Sequence, residues 1–190
     1  MSEPQSHSDD LGLAGKVAIV TGGGAPDDGI GNGRAAAILL ARAGARVLVV
    51  DILREAAEQT VAMIEEEGGS AAAFVADVAD EGQCRALVDA SLGQFGRLDL
   101  LDNNVGIGGR GSVVDTAVAD WRRIMQVNVD SMFLVSRFAI PAFVLRLRRR
   151  DSMASSGRTA SFASSSTTPS HRRAWRTTTS WPRSLRRCRS

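Results

Sequence analysis

Residues 21–33, TGGGAPDDGIGNG, decide how this chain reads. Glycine lets a backbone turn sharply and come close to a ligand, and here the glycines stand between two segments of different periodicity. On the N-terminal side is Lys16 to Thr21 (KVAIVT), an apolar, β-rich run that stops at the glycines, as a buried parallel strand does. On the C-terminal side Gly33 to Ala43 (GRAAAILLARA) is built of strong helix formers and stops at Gly44, a residue suited to the position just past a helix end. The loop therefore delivers the chain to a helix N-terminus, whose free N–H groups point at any anion placed there.

The next segment gives that anion a context. Arg46 to Asp51 (RVLVVD) reads as a second buried strand, and Asp51 ends it 18 residues after Gly33. That is close to the ~20 residues expected of the acidic side chain that binds a ribose 2′-hydroxyl in a dinucleotide site. Arg54 to Glu67 then places Ala57, Val61 and Ile64 on one helical face before Gly68 and Gly69. Ala72 to Val78 supplies a third strand, and Asp80 can cap a helix in which Cys84, Leu87, Val88, Ser91, Leu92 and Phe95 fall at helical spacing. Leu98 to Asn103 is a fourth strand, and Asp120 to about Leu145 a long helix with Trp121, Ile124, Met125, Met132 and Val135 on one face. Regular β-α alternation with near-continuous apolar strands predicts an α/β fold, a doubly wound parallel sheet of the Rossmann type with helices on both faces. The cofactor expected is NAD, because Asp51 would bond the ribose hydroxyls and repel a 2′-phosphate.

The formal charge of +2 hides an asymmetry. From Phe143 to Ser190 there are 12 Arg and one Asp, whereas the preceding 142 residues carry a net charge of −9. Residues 151–190 include 17 Ser or Thr and almost no aliphatic run, a composition that cannot bury enough apolar surface to offset its ordering entropy. The organisation expected is a flexible N-terminus over 1–14, a dinucleotide-binding domain over 15–146 and a disordered Ser/Thr/Arg-rich tail over 147–190. Two cysteines, Cys84 and Cys188, are too few for a disulfide framework or a zinc site, which points to the cytoplasm. Residues 1–10 lack the basic region and apolar run of a secretory signal. The apolar stretch Phe133 to Leu147, interrupted by Arg137 and Pro141, falls short of the ~20 residues of a membrane span, so no membrane partner is expected. Trp175 and Trp181 lie among the tail arginines, but no nucleic-acid module accompanies them, and no nucleic-acid partner is expected.

Taken in order, these motifs resemble the short-chain dehydrogenase/reductase family. Its T-G-x-x-x-G-x-G motif is met by Thr21 and Gly22 at the start and by Gly29, Gly31 and Gly33 at the end, in a loop longer than the usual form, which leaves open which two late glycines take the family roles. Asp77-Val78 resembles the pair that contacts adenine after the third strand, with a plain turn residue as the other reading of Asp77. Asn103-Asn104-Val105-Gly106 resembles the Asn-Asn-Ala-Gly motif, although both asparagines also read as strand-end hydrogen bonders. Asn128 matches the asparagine of the catalytic tetrad; in an apolar helix stripe it equally reads as a structural amide that needs partners. Asp102 places a charge where the family usually has an apolar strand residue.

The resemblance implies hydride transfer between a nicotinamide and a small-molecule alcohol or carbonyl, and self-association through the long helix. It also implies a Tyr-x-x-x-Lys dyad that handles the proton, and here the sequence departs: it contains no Tyr, and its one lysine is Lys16. Counting from Asn128 by the family spacing puts the catalytic serine near Ser155 or Ser156, and the tyrosine and lysine positions at Thr168 and Arg172. A threonine hydroxyl is far too weak an acid to replace a phenol of pKa about 10. The later family strands find no match in the tail, so the C-terminal part of the fold is expected to be incomplete, as a shifted reading frame past about residue 142, the favoured reading, or divergence into a pseudoenzyme would leave it. Two functions stay open: an oxidoreductase whose turnover the missing dyad puts in question, and a non-catalytic NAD-binding protein with a basic tail for an acidic partner.

Overall fold

Each apolar run expected as a strand is one in the computed structural model, which describes residues 11–26 and 29–156, with side chains of the last helix described through Leu145. The strands are β1 (Val17–Thr21), β2 (Arg46–Asp51), β3 (Ser70–Val75) and β4 (Leu100–Asn103). Between and after them run α1 (Asn32–Arg42), α2 (Arg54–Glu66), α3 (Glu81–Phe95), α4 (Val118–Met125), a π-helical turn (Gln126–Asp130) and α5 (Ser131–Ser156).

All pairings in the sheet are parallel and the order is β3-β2-β1-β4. The chain steps outward from β1 to β3, then returns past β1 to lay down β4 on its other side. At that reversal the loops after β1 and β4 leave in opposite directions and open a crevice at the carboxyl ends of the strands. Strand alternation divides the core accordingly. Val20, Val47 and Val49 pack with Ala37, Ala41, Ala57 and Ile64 under α1 and α2. Val17, Ile19, Leu48 and Val50 pack with Cys84, Leu87, Val135 and Ala139 under α3 and α5. Helices cover both faces, as expected.

Boundaries move where side chains take over backbone bonds. β3 ends at Val75 and not Val78: the Ala76 N–H still reaches the Asp51 carbonyl, after which the Asp77 carboxylate accepts the Ala79 N–H and turns the chain. β4 starts at Leu100 and not Leu98, because the Asp99 carboxylate accepts the Val17 N–H just before it. Asp80 caps α3 as predicted, accepting from the Gln83 N–H at 2.8 Å, and Gly96 ends that helix at φ +75°.

The long helix differs most from expectation. Trp121 and Met132 are 54 % and 44 % exposed, whereas Val135 is 1 % exposed, so the five apolar residues do not share a buried face. The π turn between them widens the helix by one residue and rotates the α4 face relative to that of α5. In α5 the buried line is Ser131, Val135 and Ala139. The helix also continues past Leu145, through Pro141, to Ser156. Helix Val118–Leu145 is consequently long and apolar enough to cross a membrane by length and composition, which corrects the shorter Phe133–Leu147 reading. Its Val135 and Ala139 are nevertheless spent on the sheet-facing core. Thr168, Arg172 and the rest of the tail past Ser156 lie outside the described residues.

Candidate functional site

The crevice at the strand ends is a cleft of about 650 Å³. Its first wall is the β1–α1 loop. Gly22 takes φ +63°, a conformation a side chain would strain, and a Cβ there would press on the Val105 backbone at 3.3 Å. Thr21, wholly buried, ties this loop to β4: its Oγ1 donates to the Asp102 carbonyl and accepts the Asn104 N–H, both at 3.2 Å. The Asn104 amide donates to the Gly22 carbonyl at 3.3 Å.

The three late glycines are now distinguishable. A Cβ on Gly33 would overlap the Gly22 carbonyl and the Asn104 amide, so Gly33 is where α1 sits directly on the β1 and β4 ends. Gly31 precedes α1 and lines the cleft, and a Cβ there meets only the Ala25 methyl at 3.8 Å. Gly31 thus leaves the α1 N-terminus approachable by an anion, the position a pyrophosphate takes on a helix N-terminus. Gly29 is not part of the cleft lining; its carbonyl accepts from Arg34 at 2.6 Å. The described residues on either side of the lengthened loop are held by that arginine, which is fully buried and also donates to the Ala25 carbonyl, Gln59 and Thr60. The Thr60 hydroxyl in turn donates to the Gly23 carbonyl. Arg34 escaped the sequence reading, although a charge directly before the apolar run AAAILLA, between it and the glycine loop, was a signal.

Asp51 forms the second wall. One carboxylate oxygen accepts the Gly24 N–H and the other the Leu53 N–H, each at 3.0 Å. The carboxylate is held at the cleft edge, and each oxygen keeps acceptor capacity for a ribose hydroxyl. Asp77 and Val78 line the cleft beside it. Asp77 is also the turn residue that the alternative reading described, and the Val78 side chain is buried in the core.

After β4 the two asparagines part company. Asn104 faces the cleft; Asn103 donates to the Ser136 hydroxyl at 3.2 Å and does not line the cleft. Gly106 lines it, and the next residue is clamped by Asn128, whose Oδ1 accepts the Ile107 N–H at 2.8 Å and whose Nδ2 donates to the Ile107 carbonyl at 2.9 Å. Asn128 sits inside the π turn, a feature that often marks functional sites, and its partially buried amide is satisfied by this two-point backbone clamp. Gln126 and Val127, beside it, reach the cleft. Ser155 is not brought to the site: on the helix that runs from Asn128 to Ser156 it stands ~40 Å along the axis. Its side chain lies outside the described ones. Among the described residues no cluster of three or more His, Cys, Asp or Glu could hold a metal ion.

Burial raises the Asp102 carboxyl above the usual carboxylate range. It borders a second, apolar groove of about 470 Å³ beside β4, with Leu11, Leu39, Leu100 and Leu101.

Comparison with known proteins agrees with this geometry. Residues 16–167 match the short chain dehydrogenase family, a span that runs beyond Asn128, the last of the motif residues read from the sequence. The chain is 42% identical over 135 residues to 7alpha-hydroxysteroid dehydrogenase of Escherichia coli K12, covering 71% of this chain and 51% of the relative. It is 38% identical over 130 residues to cyclohexanol dehydrogenase of an Acinetobacter species, covering 68% of this chain and 50% of that one. A structure of 7alpha-hydroxysteroid dehydrogenase complexed with NADH and 7-oxo glycochenodeoxycholic acid superposes with a TM-score of 0.65 at 41% identity, over 71% of this chain and 51% of the other. A short-chain dehydrogenase/reductase from Burkholderia xenovorans superposes with a TM-score of 0.66 at 37% identity, covering 68% and 51%. The chain belongs to the short-chain dehydrogenase/reductase family, oxidoreductases with an NAD(P)-binding Rossmann fold. It spans about half the length of the relatives it matches.

Proposed function

We propose that this chain binds NAD in preference to NADP, at a site laid out for hydride transfer with a small-molecule alcohol or carbonyl, and that these 190 residues bind the cofactor without turning a substrate over at a useful rate. The observation that carries the cofactor reading is Asp51. Its carboxylate is fixed by two backbone N–H groups at the cleft edge, where a ribose would lie once the pyrophosphate rests at Gly31. A 2′-phosphate there would meet a negative charge that cannot swing away. The glycine geometry fits a dinucleotide, since Gly31 leaves the helix end open while Gly33 closes α1 onto the strands. Bound NAD supplies the hydride acceptor. The cleft residues bind and orient it, and Asn128, through Ile107, holds the loop that borders the nicotinamide end.

Turnover needs a proton path as well, and no Tyr is present to provide one. Among the described residues, Asn128 is the one tetrad member in place beside the cleft. A non-catalytic reading draws support from the 12 Arg against one Asp after residue 142, a basic segment suited to an acidic partner. Self-association has its own surface: Val129, Phe133, Ile140 and Val144 are exposed at helical spacing, opposite the buried line of α5. A second copy of the chain would cover that stripe. The cytoplasm is the proposed location, in keeping with a free, buried Cys84.

Calorimetric titration with NADH and NADPH tests the cofactor reading. NADH should bind about 10- to 100-fold tighter, equivalent to about 1–3 kcal/mol, and Asp51→Ala should narrow the gap. Equal or tighter binding of NADPH would overturn it.

A further inference from the structure

We propose that Arg123 is a cofactor-holding residue, its guanidinium lying against the purine ring of the dinucleotide; this rests on the cleft being the dinucleotide site. Among the described residues, three charged side chains line the cleft: Asp51, Asp77 and Arg123. The two carboxylates stand at the ends of β2 and β3, and Arg123 comes from α4, so the cation belongs to a different wall. A ligand that carries a pyrophosphate meets two carboxylates there and needs positive charge beyond that of a helix N-terminus, roughly half an elementary charge.

Arg123 is available for that task. It is exposed, and among the described residues its guanidinium makes no ion pair or hydrogen bond, whereas Arg42, Arg54, Arg97 and Arg137 each hold a carboxylate. It stands three and four residues before Gln126 and Val127 on one helical face, and those two residues also line the cleft. The position is fixed from below, because the adjoining π turn is clamped to Ile107 by Asn128. Beside the polar Gln126, the cleft lining includes the apolar Val78, Ala79, Val105 and Val127. An apolar slot with a planar cation on one wall suits a flat heteroaromatic base: the ring buries its faces, and the guanidinium stacks on one of them. The phosphates have their own donors in the backbone N–H groups at the α1 end beside Gly31, which leaves the α4 guanidinium to the base.

The test compares the wild-type chain with Arg123→Ala and Arg123→Lys by calorimetry, using NADH, ADP-ribose, adenosine and nicotinamide mononucleotide as probes. A cation stacked on a base contributes about 0.5–2 kcal/mol, so Arg123→Ala should weaken NADH, ADP-ribose and adenosine alike by roughly 2- to 30-fold. Arg123→Lys should recover only part of that, and nicotinamide mononucleotide should bind both variants as it binds the wild type. Unchanged affinity for ADP-ribose in Arg123→Ala overturns the proposal, as does a loss seen with ADP-ribose but not adenosine, which would place the guanidinium on phosphate. If the wild-type chain binds none of the adenosine-containing probes, the reading of the cleft has failed, and this inference with it. Thermal melts of both variants should match the wild type, since Arg123 holds no other described residue.

Discussion

Gly33→Ala and Gly31→Ala differ by one methyl each and should fail in different ways. At Gly33 the new Cβ would lie 2.8 Å from the Gly22 carbonyl carbon and closer still to the Gly22 carbonyl oxygen and the Asn104 amide nitrogen. Neither partner can retreat. Gly22 is in a φ +63° turn with Val105 packed behind it, and the Asn104 amide is bonded to that same carbonyl. The N-terminus of α1 must therefore lift by on the order of 1 Å to restore ordinary contact. Overpacking of this kind costs about 1–3 kcal/mol, and losing the Asn104–Gly22 hydrogen bond adds about 1 kcal/mol. For a domain of this size that is a fall in Tm on the order of 10 °C. Cofactor affinity should fall too, because the N–H groups at the α1 end no longer aim at the pyrophosphate. At Gly31 the methyl meets only the Ala25 side chain, at an ordinary 3.8 Å. Its Tm should stay within about 2 °C of wild type, while NADH binding weakens by roughly 10- to 100-fold as the methyl displaces an anion from charge-assisted N–H bonds. Differential scanning fluorimetry and NADH titration on the same preparations separate the two. Wild-type Tm and affinity in Gly33→Ala would refute the claim that α1 rests on β1 and β4 through that glycine.

Three other perturbations probe the rest of the fold. Burial raises the folded-state pKa of Asp102 above its unfolded value, so its charge destabilises the fold at neutral pH, and that deficit disappears as pH falls through the folded pKa toward the ordinary carboxylate value. Asp102→Asn should stabilise the chain by on the order of 1 kcal/mol at about pH 7.5, with the gain shrinking toward about pH 4; a loss of Tm at the higher pH would show that the charge is needed. The Cys84 thiol, pushed up to about 11 by burial and then by Asp80, Asp77 and Glu81, should resist iodoacetamide at about pH 8 in a Cys188→Ser background until the chain is unfolded, and full labelling of the native chain would contradict its burial. Translation of the encoding DNA in the other two frames beyond about codon 142 should recover a Tyr-x-x-x-Lys pair; its absence from both would count against a frame shift.

Much of the fold was legible because its determinants are local. The KVAIVT and RVLVVD runs are short, apolar and bounded by glycine or aspartate, and the Asp80 cap needs only Gln83 three residues on. The details that failed depend on partners far along the chain. Whether Asn103 or Asn104 faces the cleft is set by such partners: Asn103, the last residue of β4, donates to Ser136, whereas Asn104, just past the strand, donates to Gly22. The π turn around Asn128 is fixed by Ile107, 21 residues away, so the apolar spacing on either side of it read as one stripe when it is two. Arg34 is buried because Gln59 and Thr60, 25 and 26 residues on, supply its partners. Which glycine of the long loop packs and which stays open likewise depended on Asn104, which no local pattern could bring beside Gly33.

Binding without turnover is the centre of the account, and one preparation can test both halves. The chain as it stands is titrated with NADH in the calorimeter, then assayed at 340 nm for NADH formation from NAD with a panel of secondary alcohols, beside an intact family member. Positioned acid-base catalysis contributes about 10² to 10⁴ in rate, so the account predicts saturable NADH binding together with turnover lower than the intact enzyme's by at least that factor. Turnover near the intact enzyme's rate, or a folded chain that binds no NADH, would contradict it.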